Sequence, residues 1–181
     1  MITVEVERRR WDRRAGFPLE RWTIRDSRKW ICILAKGRTL EVGVGTGLNL
    51  SLYGHDLELS GIDLNPGMLA MARRRASESG RNIDLLEGNA EMLPFPDASF
   101  DTVVCTLAVC SVADRGAAIF EMYRVLRPGG LLLLLDHAER RWIRGRPANV
   151  AIRPGFVVER RERLLMGLIW RLAARKPVTP N

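Results

Sequence analysis

The stretch TLEVGVGTGLNL, residues 39–50, decides the fold, because three glycines alternate directly after an apolar run. Gly43, Gly45 and Gly47 would stand where a strand ends, and glycine lets the backbone turn sharply there and approach a ligand closely. Their spacing departs from the dinucleotide fingerprint GxGxxG, since Leu48 occupies the position of the third glycine. No Lys-Ser or Lys-Thr pair follows the loop, which argues against a P-loop.

Apolar segments alternate with helical patterns on both sides of this loop. The segments RTLEVGV, LELSGID, NIDLLEG, SFDTVVCTLAV and LLLLLDH are predicted strands. The segment TGLNLSLY is predicted to open a helix, and two further helices should begin after the N-cap residues Asn65 and Asp114. This alternation predicts an α/β fold, a Rossmann-like, doubly wound and mostly parallel sheet.

The two ends of the chain have a different pattern. GFVVERRERLL and LIWRLAARKP are candidate strands separated only by MG, which permits a C-terminal antiparallel hairpin but no parallel crossover. Near the start, tryptophans interleaved with arginines predict short amphipathic helices. We therefore expect a helical lid segment over residues 1–37 and a ligand-binding core over residues 38–181.

Composition limits the function classes. With 181 residues, 46% hydrophobic and 28% charged, the chain suits one globular domain. Its charged first residues are unlike a signal peptide, so a cytoplasmic location is expected. Three cysteines without a CxxC pair predict core residues rather than a metal site. A net charge of +8 can attract nucleic acid or anionic lipid, but no nucleic-acid-binding signature accompanies it, so nucleic acid is not the expected partner.

Asp63 ends the second predicted strand, 16 residues after Gly47. A carboxylate at that position can accept hydrogen bonds from both hydroxyls of a ribose. The loop spacing and Asp63 together indicate a nucleoside ligand without a pyrophosphate.

Four segments in order, LEVGVGTG, GIDLNPGML, GNAEMLPFPDASFDTVVC and RVLRPGG, resemble the motifs of class I S-adenosylmethionine (SAM) methyltransferases, from about residue 38 to 137. The resemblance implies SAM as cofactor and no metal. Asn89 stands where the family more often has Asp. For Cys105 the resemblance leaves two alternatives, a side chain beside SAM or a buried residue that contributes only its backbone. The implied contacts are Glu41 and Gly43, Gly45 and Gly47 for the methionine part, Asp63 for the ribose, Leu64 and Met68 for the adenine face, Asn89 and Ala90 for its edge, and Cys105 and Thr106 for the methionine side.

The segments DTVVCTLAVCSV, LRPGG and DH are similar to two branches of that family, the bacterial phosphatidylethanolamine N-methyltransferases and the methyltransferase-like thiol methyltransferases. This implies a small hydrophobic or lipid acceptor, either an amine or a thiol. The arginine-rich N-terminal segment would then suit peripheral contact with an anionic membrane, besides covering the pocket. The segment 138–154 is shorter than in these relatives, which leaves the acceptor pocket open or completed by a second subunit in a dimer.

His137 follows the fifth predicted strand and should face the site. It could act as a base, orient the nucleophile, or bond a loop carbonyl. Two other functions compete with catalysis of this kind. One is a SAM-binding protein that has lost turnover and serves as a regulatory or partner subunit. The other is an RNA methyltransferase, but TLAV stands after the fourth strand where an Asn-Pro-Pro-aromatic motif would be expected.

Overall fold

A computed structural model describes residues 18–137 and 154–178, and within them one seven-stranded sheet has the order β3-β2-β1-β4-β5-β7-β6. Strands β1 to β5 pair in parallel, while β7 runs antiparallel to both β5 and β6. The predicted Rossmann-like sheet with a C-terminal antiparallel hairpin is confirmed. The strands are β1 (Arg38–Val42), β2 (Glu58–Asp63), β3 (Asp84–Glu87), β4 (Phe100–Thr106), β5 (Leu126–His137), β6 (Val157–Leu164) and β7 (Ile169–Arg175).

The direction of strand order reverses between β1 and β4. Val42, the last residue of β1, pairs with Ile62 of β2 on one side and with Cys105 of β4 on the other. The carboxyl ends of these strands therefore open onto a crevice at one edge of the sheet, where doubly wound folds bind their ligands. We call this edge the carboxyl edge.

In the described part of the chain, three α-helices cover the sheet: α1 (Pro18–Leu34), α2 (Pro66–Glu78) and α3 (Arg115–Val125). Both predicted N-caps are confirmed. The Asn65 side chain accepts hydrogen bonds from the first backbone N–H groups of α2, and the Asp114 side chain accepts one from the backbone of Ala117 in α3. No helix in residues 18–137 and 154–178 is long and apolar enough to cross a bilayer.

The leucine run of β5 lies at the centre of the core. Leu132 and Leu134 belong to the apolar cluster on one face of the sheet, and Leu133 and Leu135 to the cluster on the other. Because all four side chains are buried, the strand is covered on both faces, as a continuous apolar run predicts.

The predicted helix after β1 is wrong, because only a single 3-10 turn, Leu50–Leu52, follows the glycine loop. Asn49 stands at the N-cap position of this turn, but its side chain makes no capping bond and instead reaches buried partners on β1 and β4. Tyr53, directly after the turn, is also buried. Buried side chains, rather than a helix, therefore hold the connection between β1 and β2 against the sheet.

Helix α1 packs directly against the sheet. Ile31 and Cys32 are buried in the same cluster as Leu133 and Leu135. Just after α1 ends, the backbone N–H of Lys36 donates to Oγ1 of Thr102 near the start of β4, at 3.0 Å. The helix therefore runs antiparallel to the parallel strands, and its N-terminal end points to the carboxyl edge. Residues 1–17 of the predicted lid, and residues 138–153 of the predicted short segment, lie outside the described residues.

Candidate cofactor site

The glycine loop has the backbone that its sequence predicts. Gly43, Gly45 and Gly47 have φ angles of 71°, 56° and 79°, which glycine adopts without strain. A Cβ atom on Gly43 would overlap the methyl group of Ala108, and one on Gly47 would lie 2.8 Å from Cδ1 of Leu50. A Cβ atom on Gly45 would meet no atom within 4 Å. The loop is therefore packed tightly at both ends and has an open face at its centre.

Asp63 lies directly beside this open face. Its Oδ2 accepts a hydrogen bond of 2.7 Å from the backbone N–H of Gly45, and its Oδ1 accepts one of 2.9 Å from the backbone N–H of Asn65. These two bonds fix the orientation of the carboxylate. Each oxygen keeps a second lone pair, so Asp63 can still accept from a pair of vicinal hydroxyls.

Glu41 is placed beneath the loop rather than in the open crevice. It is 1% exposed, and its two oxygens accept hydrogen bonds from Nδ2 of Asn49 at 2.7 Å and from the hydroxyl of Tyr53 at 3.0 Å. The same Nδ2 atom donates to Oγ1 of Thr106 at 2.8 Å, and Oδ1 of Asn49 accepts from Nη1 of Arg28 at 2.7 Å. We call these five residues the buried polar cluster.

Burial raises the pKa of Glu41 to about 7, although Arg28, Tyr53 and Asn49 all favour its charged form. Burial also lowers the pKa of the Arg28 guanidinium. Both groups thus lie where ionisation is costly, and each depends on the other members of the cluster for its partners. Both carboxylate oxygens of Glu41 accept from side chains beneath the loop, so its geometry suits a residue that supports the loop from below.

The residues expected around a nucleobase come together beside Asp63. The backbone N–H of Gly88 donates to the carbonyl oxygen of Asp63 at 3.0 Å, which brings the segment after β3 against the end of β2. Leu64 exposes 67% of its surface, an apolar side chain that a flat ring could cover. Met68 and Ala90 are half-buried, while Asn89 is exposed and its Oδ1 accepts from the backbone of Glu91 at 3.0 Å.

At the end of β4, the side chains of Cys105 and Thr106 are buried. Cys105 belongs to the apolar core, and burial raises the pKa of its thiol well above the ordinary range. Thr106 is engaged with Asn49. Of the two alternatives for Cys105, this placement favours a buried side chain, with only the backbone available to a ligand.

The sequence interpretation missed Asp136, the penultimate residue of β5. Its side chain is buried, its Oδ2 accepts from the backbone N–H of Cys110 at 2.9 Å, and its Oδ1 accepts from that of His137 at 2.8 Å. Burial raises the pKa of this carboxyl, while the bonds from Cys110 and His137 oppose the rise. The signal for Asp136 was a lone carboxylate directly after five leucines, at the strand end that opens onto the site.

His137 itself ends β5 and is half-buried. Asp136 holds its backbone, so the position of the histidine at the carboxyl edge is fixed. Cys110, predicted as a core residue, is only half-buried because it lies on the 3-10 turn Val109–Ser111 that follows β4. Among the described residues, no group of three or more His, Cys, Asp or Glu side chains could hold a metal ion.

These features fit the nucleoside and amino acid parts of SAM. The open face at Gly45 leaves room for a ligand against the loop backbone, Asp63 retains acceptors for a ribose, and Leu64 offers an apolar surface for a base. There is no lysine in the loop to neutralise a phosphate chain.

Comparisons with known proteins support the same cofactor. A family model described as a methyltransferase domain matches residues 40–134, a little more than half of the chain. A phosphatidylethanolamine N-methyltransferase of Cereibacter sphaeroides is 44% identical over 106 residues, which cover 58% of this chain and 52% of that protein. A demethylmenaquinone methyltransferase of Thermus thermophilus is 42% identical over 105 residues, which cover 56% of this chain and 48% of that protein.

The chain thus spans about half the length of the curated relatives it matches. Among solved structures, the (4+2)-cyclase SpnF has a TM-score of 0.76 at 21% identity, covering 91% of this chain and 84% of its own. At that identity the likeness shows the fold alone.

Proposed function

This chain belongs to the methyltransferase domain family, the class I SAM-dependent methyltransferases, and on that premise we propose that it moves the methyl group of SAM to a small hydrophobic or lipid acceptor. The observation that carries the proposal is the bond between Asp63 and the N–H of Gly45, at the point where strand order reverses. It joins an oriented carboxylate to the part of the loop that has open space beside Gly45.

SAM, when bound, supplies an electrophilic methyl group on its sulfonium. The protein would hold the cofactor through its loop and β2: Asp63 would accept from the ribose hydroxyls, and the Gly43–Gly47 backbone would face the methionine part. Leu64 and Met68 would lie against the adenine, with Asn89 and Ala90 at its edge. Glu41 and Thr106 act from below, since both are tied to Asn49. Cys105 contributes its backbone at the end of β4.

The acceptor would enter at the ends of β4 and β5. A protonated amine or a thiol must lose a proton to become the nucleophile that attacks a methyl group, and we propose that His137 accepts this proton or orients the nucleophile. Asp136 fixes the backbone of His137 and so positions it. Beyond this, the protein has to hold the nucleophile in line at about 3–3.5 Å from the methyl carbon and exclude water.

Two of the similar proteins support a hydrophobic acceptor by their names, since phosphatidylethanolamine and demethylmenaquinone both reside in membranes. They do not share a nucleophile, and a thiol stays among the candidates. A lipid acceptor implies peripheral membrane contact, which the net charge of +8 favours at an anionic surface. A second subunit completing the acceptor pocket belongs to the same proposal.

Titration calorimetry with SAM and S-adenosylhomocysteine tests the cofactor assignment, and absence of binding by both would overturn it. A turnover panel of phosphatidylethanolamine vesicles, a demethylated quinone, thiols and soluble amines then tests the acceptor. We expect methylation of a lipid-soluble member. Saturable SAM binding with no acceptor methylated would instead favour a SAM-binding regulatory or partner subunit.

A further inference from the structure

The turn that joins β6 to β7 directs apolar side chains into solvent. Met166 is fully exposed, at 103% of the reference value, and Leu168 is 56% exposed. Both lie in the segment Leu165–Leu168, which we call the hairpin tip. Single exposed apolar residues are common on surfaces, so the tip needs further evidence before a role can be assigned.

The backbone of the tip supplies that evidence. Leu165 and Met166 have φ angles of 50° and 52°, followed by Gly167 at 91°. Tight hairpin turns with positive φ usually use Asn, Asp or Gly, because larger side chains are strained in this conformation. Leu165 and Met166 therefore occupy positions where they weaken the turn. Leu165 is half-buried against the core, but the side chain of Met166 is fully exposed and adds little packing in return. A methionine at position 166 is explained if its side chain contacts something outside the chain.

The charge beside the tip indicates what that partner is. Arg161 and Arg163 lie on β6, the edge strand, and both are exposed. Neither forms an ion pair within the described residues, whereas their neighbour Arg160 pairs with Glu162. An apolar tip next to unpaired guanidinium groups is the combination that suits an anionic bilayer, in which methionine and leucine enter the acyl boundary and arginine meets headgroups.

The position of the tip relates this surface to the cofactor site. His137, at the end of β5, pairs with Ile169, and Ile169 pairs in turn with Leu164. The turn between β6 and β7 therefore lies at the carboxyl edge, two strands from the end of β4. We infer that the hairpin tip inserts into an anionic membrane and brings the carboxyl edge against the lipid surface. This inference rests on the proposed lipid acceptor for its purpose, but the contact can be measured without turnover.

The test is co-sedimentation of the full chain with phosphatidylcholine vesicles, with and without phosphatidylglycerol. Met166→Asn should weaken binding to the anionic vesicles by about tenfold, the scale of removing one buried methionine from an apolar phase. Asparagine tolerates positive φ, so the same variant should keep or raise the thermal midpoint. Weaker binding without lost stability separates membrane contact from a structural role.

Matched controls come from the same molecule. Val157→Thr removes an exposed apolar residue from the opposite end of the same hairpin and should leave binding unchanged. The pair Arg161→Gln and Arg163→Gln should weaken binding roughly 30-fold, at about 1 kcal/mol for each arginine near an anionic surface. The pair Arg74→Gln and Arg127→Gln, at ion-paired sites, gives the same net charge and should have little effect.

Equal vesicle affinity of Met166→Asn and the wild type would overturn the inference. A change from dimer to monomer with unchanged vesicle affinity would assign the tip to a second copy of the chain, and would overturn it too. Calorimetry with SAM on the same samples distinguishes failure of the membrane contact from failure of the cofactor assignment. A wild type that binds SAM but no vesicles refutes the membrane contact alone, and one that binds vesicles but no SAM refutes the cofactor assignment alone.

Discussion

Replacing Glu41 by Gln should change how the stability of the protein depends on pH. The Glu41 carboxyl is 1% exposed, and burial raises its pKa from an ordinary 4.5 to about 7. A carboxyl with a raised pKa favours the folded state at low pH, because the folded protein binds the proton more tightly than the unfolded chain. This stability is fully present below pH 4.5 and is lost as the pH rises through 7.

The shift from 4.5 to about 7 corresponds to roughly 3 kcal/mol of unfolding free energy. Most of it, about 2–3 kcal/mol, should disappear between pH 5 and pH 8 in the wild type. Glutamine has no proton to lose in this range and can keep the bond from Nδ2 of Asn49. The variant should therefore lack this part of the pH dependence, while the remaining groups of the protein contribute equally to both.

Urea unfolding at a series of pH values from 5 to 9 measures the effect. For a chain of this size a loss of 2–3 kcal/mol lowers the urea midpoint by about 1 M. Glu58→Gln is the matched control, since Glu58 is exposed and paired only with Arg38 at the surface. Parallel midpoint-against-pH curves for the wild type and Glu41→Gln would refute the reasoning, and would mean that Arg28 keeps the carboxylate charged.

Three further substitutions test the cofactor site. Asp63→Ala should weaken SAM binding by roughly 1.5–3 kcal/mol in calorimetry, the scale of a charged hydrogen-bond partner. Asp84→Ala, on the exposed end of β3, is the control and should not weaken it, and an unchanged Kd for Asp63→Ala would contradict the ribose assignment. Gly47→Ala should unfold at a markedly lower urea concentration than Gly45→Ala. Both substitutions strain a positive φ at about 1–2 kcal/mol, but only at Gly47 is there also no space for the added Cβ atom. Equal urea midpoints would contradict the packing argument. His137→Gln should lower turnover about 100-fold or more on the acceptor found in the panel and leave the Kd of SAM unchanged; full activity would remove His137 from the chemistry.

The sequence predicts the sheet well, because each strand end carries a local signal. Asn65 and Asp114 mark helix starts by their own side-chain chemistry, and the glycines of the loop mark a backbone that other residues resist. Asp63 could be identified for a similar reason, since it directly follows a strand whose end the pattern fixes. These features depend on neighbours in sequence, and periodicity and capping rules report on such neighbours.

The predicted helix after β1 failed because its outcome depends on distant residues. Asn49 would be an ordinary helix N-cap if its amide were not bonded to Glu41 and Thr106, the latter 57 residues away. Asp136 was missed for the same reason, since its partner Cys110 lies 26 residues earlier in the chain. Buried polar networks are formed by tertiary contacts, and a single sequence does not show which distant residues make those contacts.

The buried polar cluster also changes how the N-terminal part of the chain relates to the site. The predicted boundary at residue 37 separates a lid from a core, yet α1 places Ile31 and Cys32 in the core and reaches the loop through Arg28. Arg28 holds Asn49, and Asn49 holds both Glu41 and Thr106, so one amide joins α1, β1 and β4 beneath the glycine loop. Removing the Arg28 guanidinium would leave a buried amide oxygen without its donor and Glu41 without its nearest cation. We therefore expect residues 18–34 to be required for an ordered cofactor loop, whatever residues 1–17 cover.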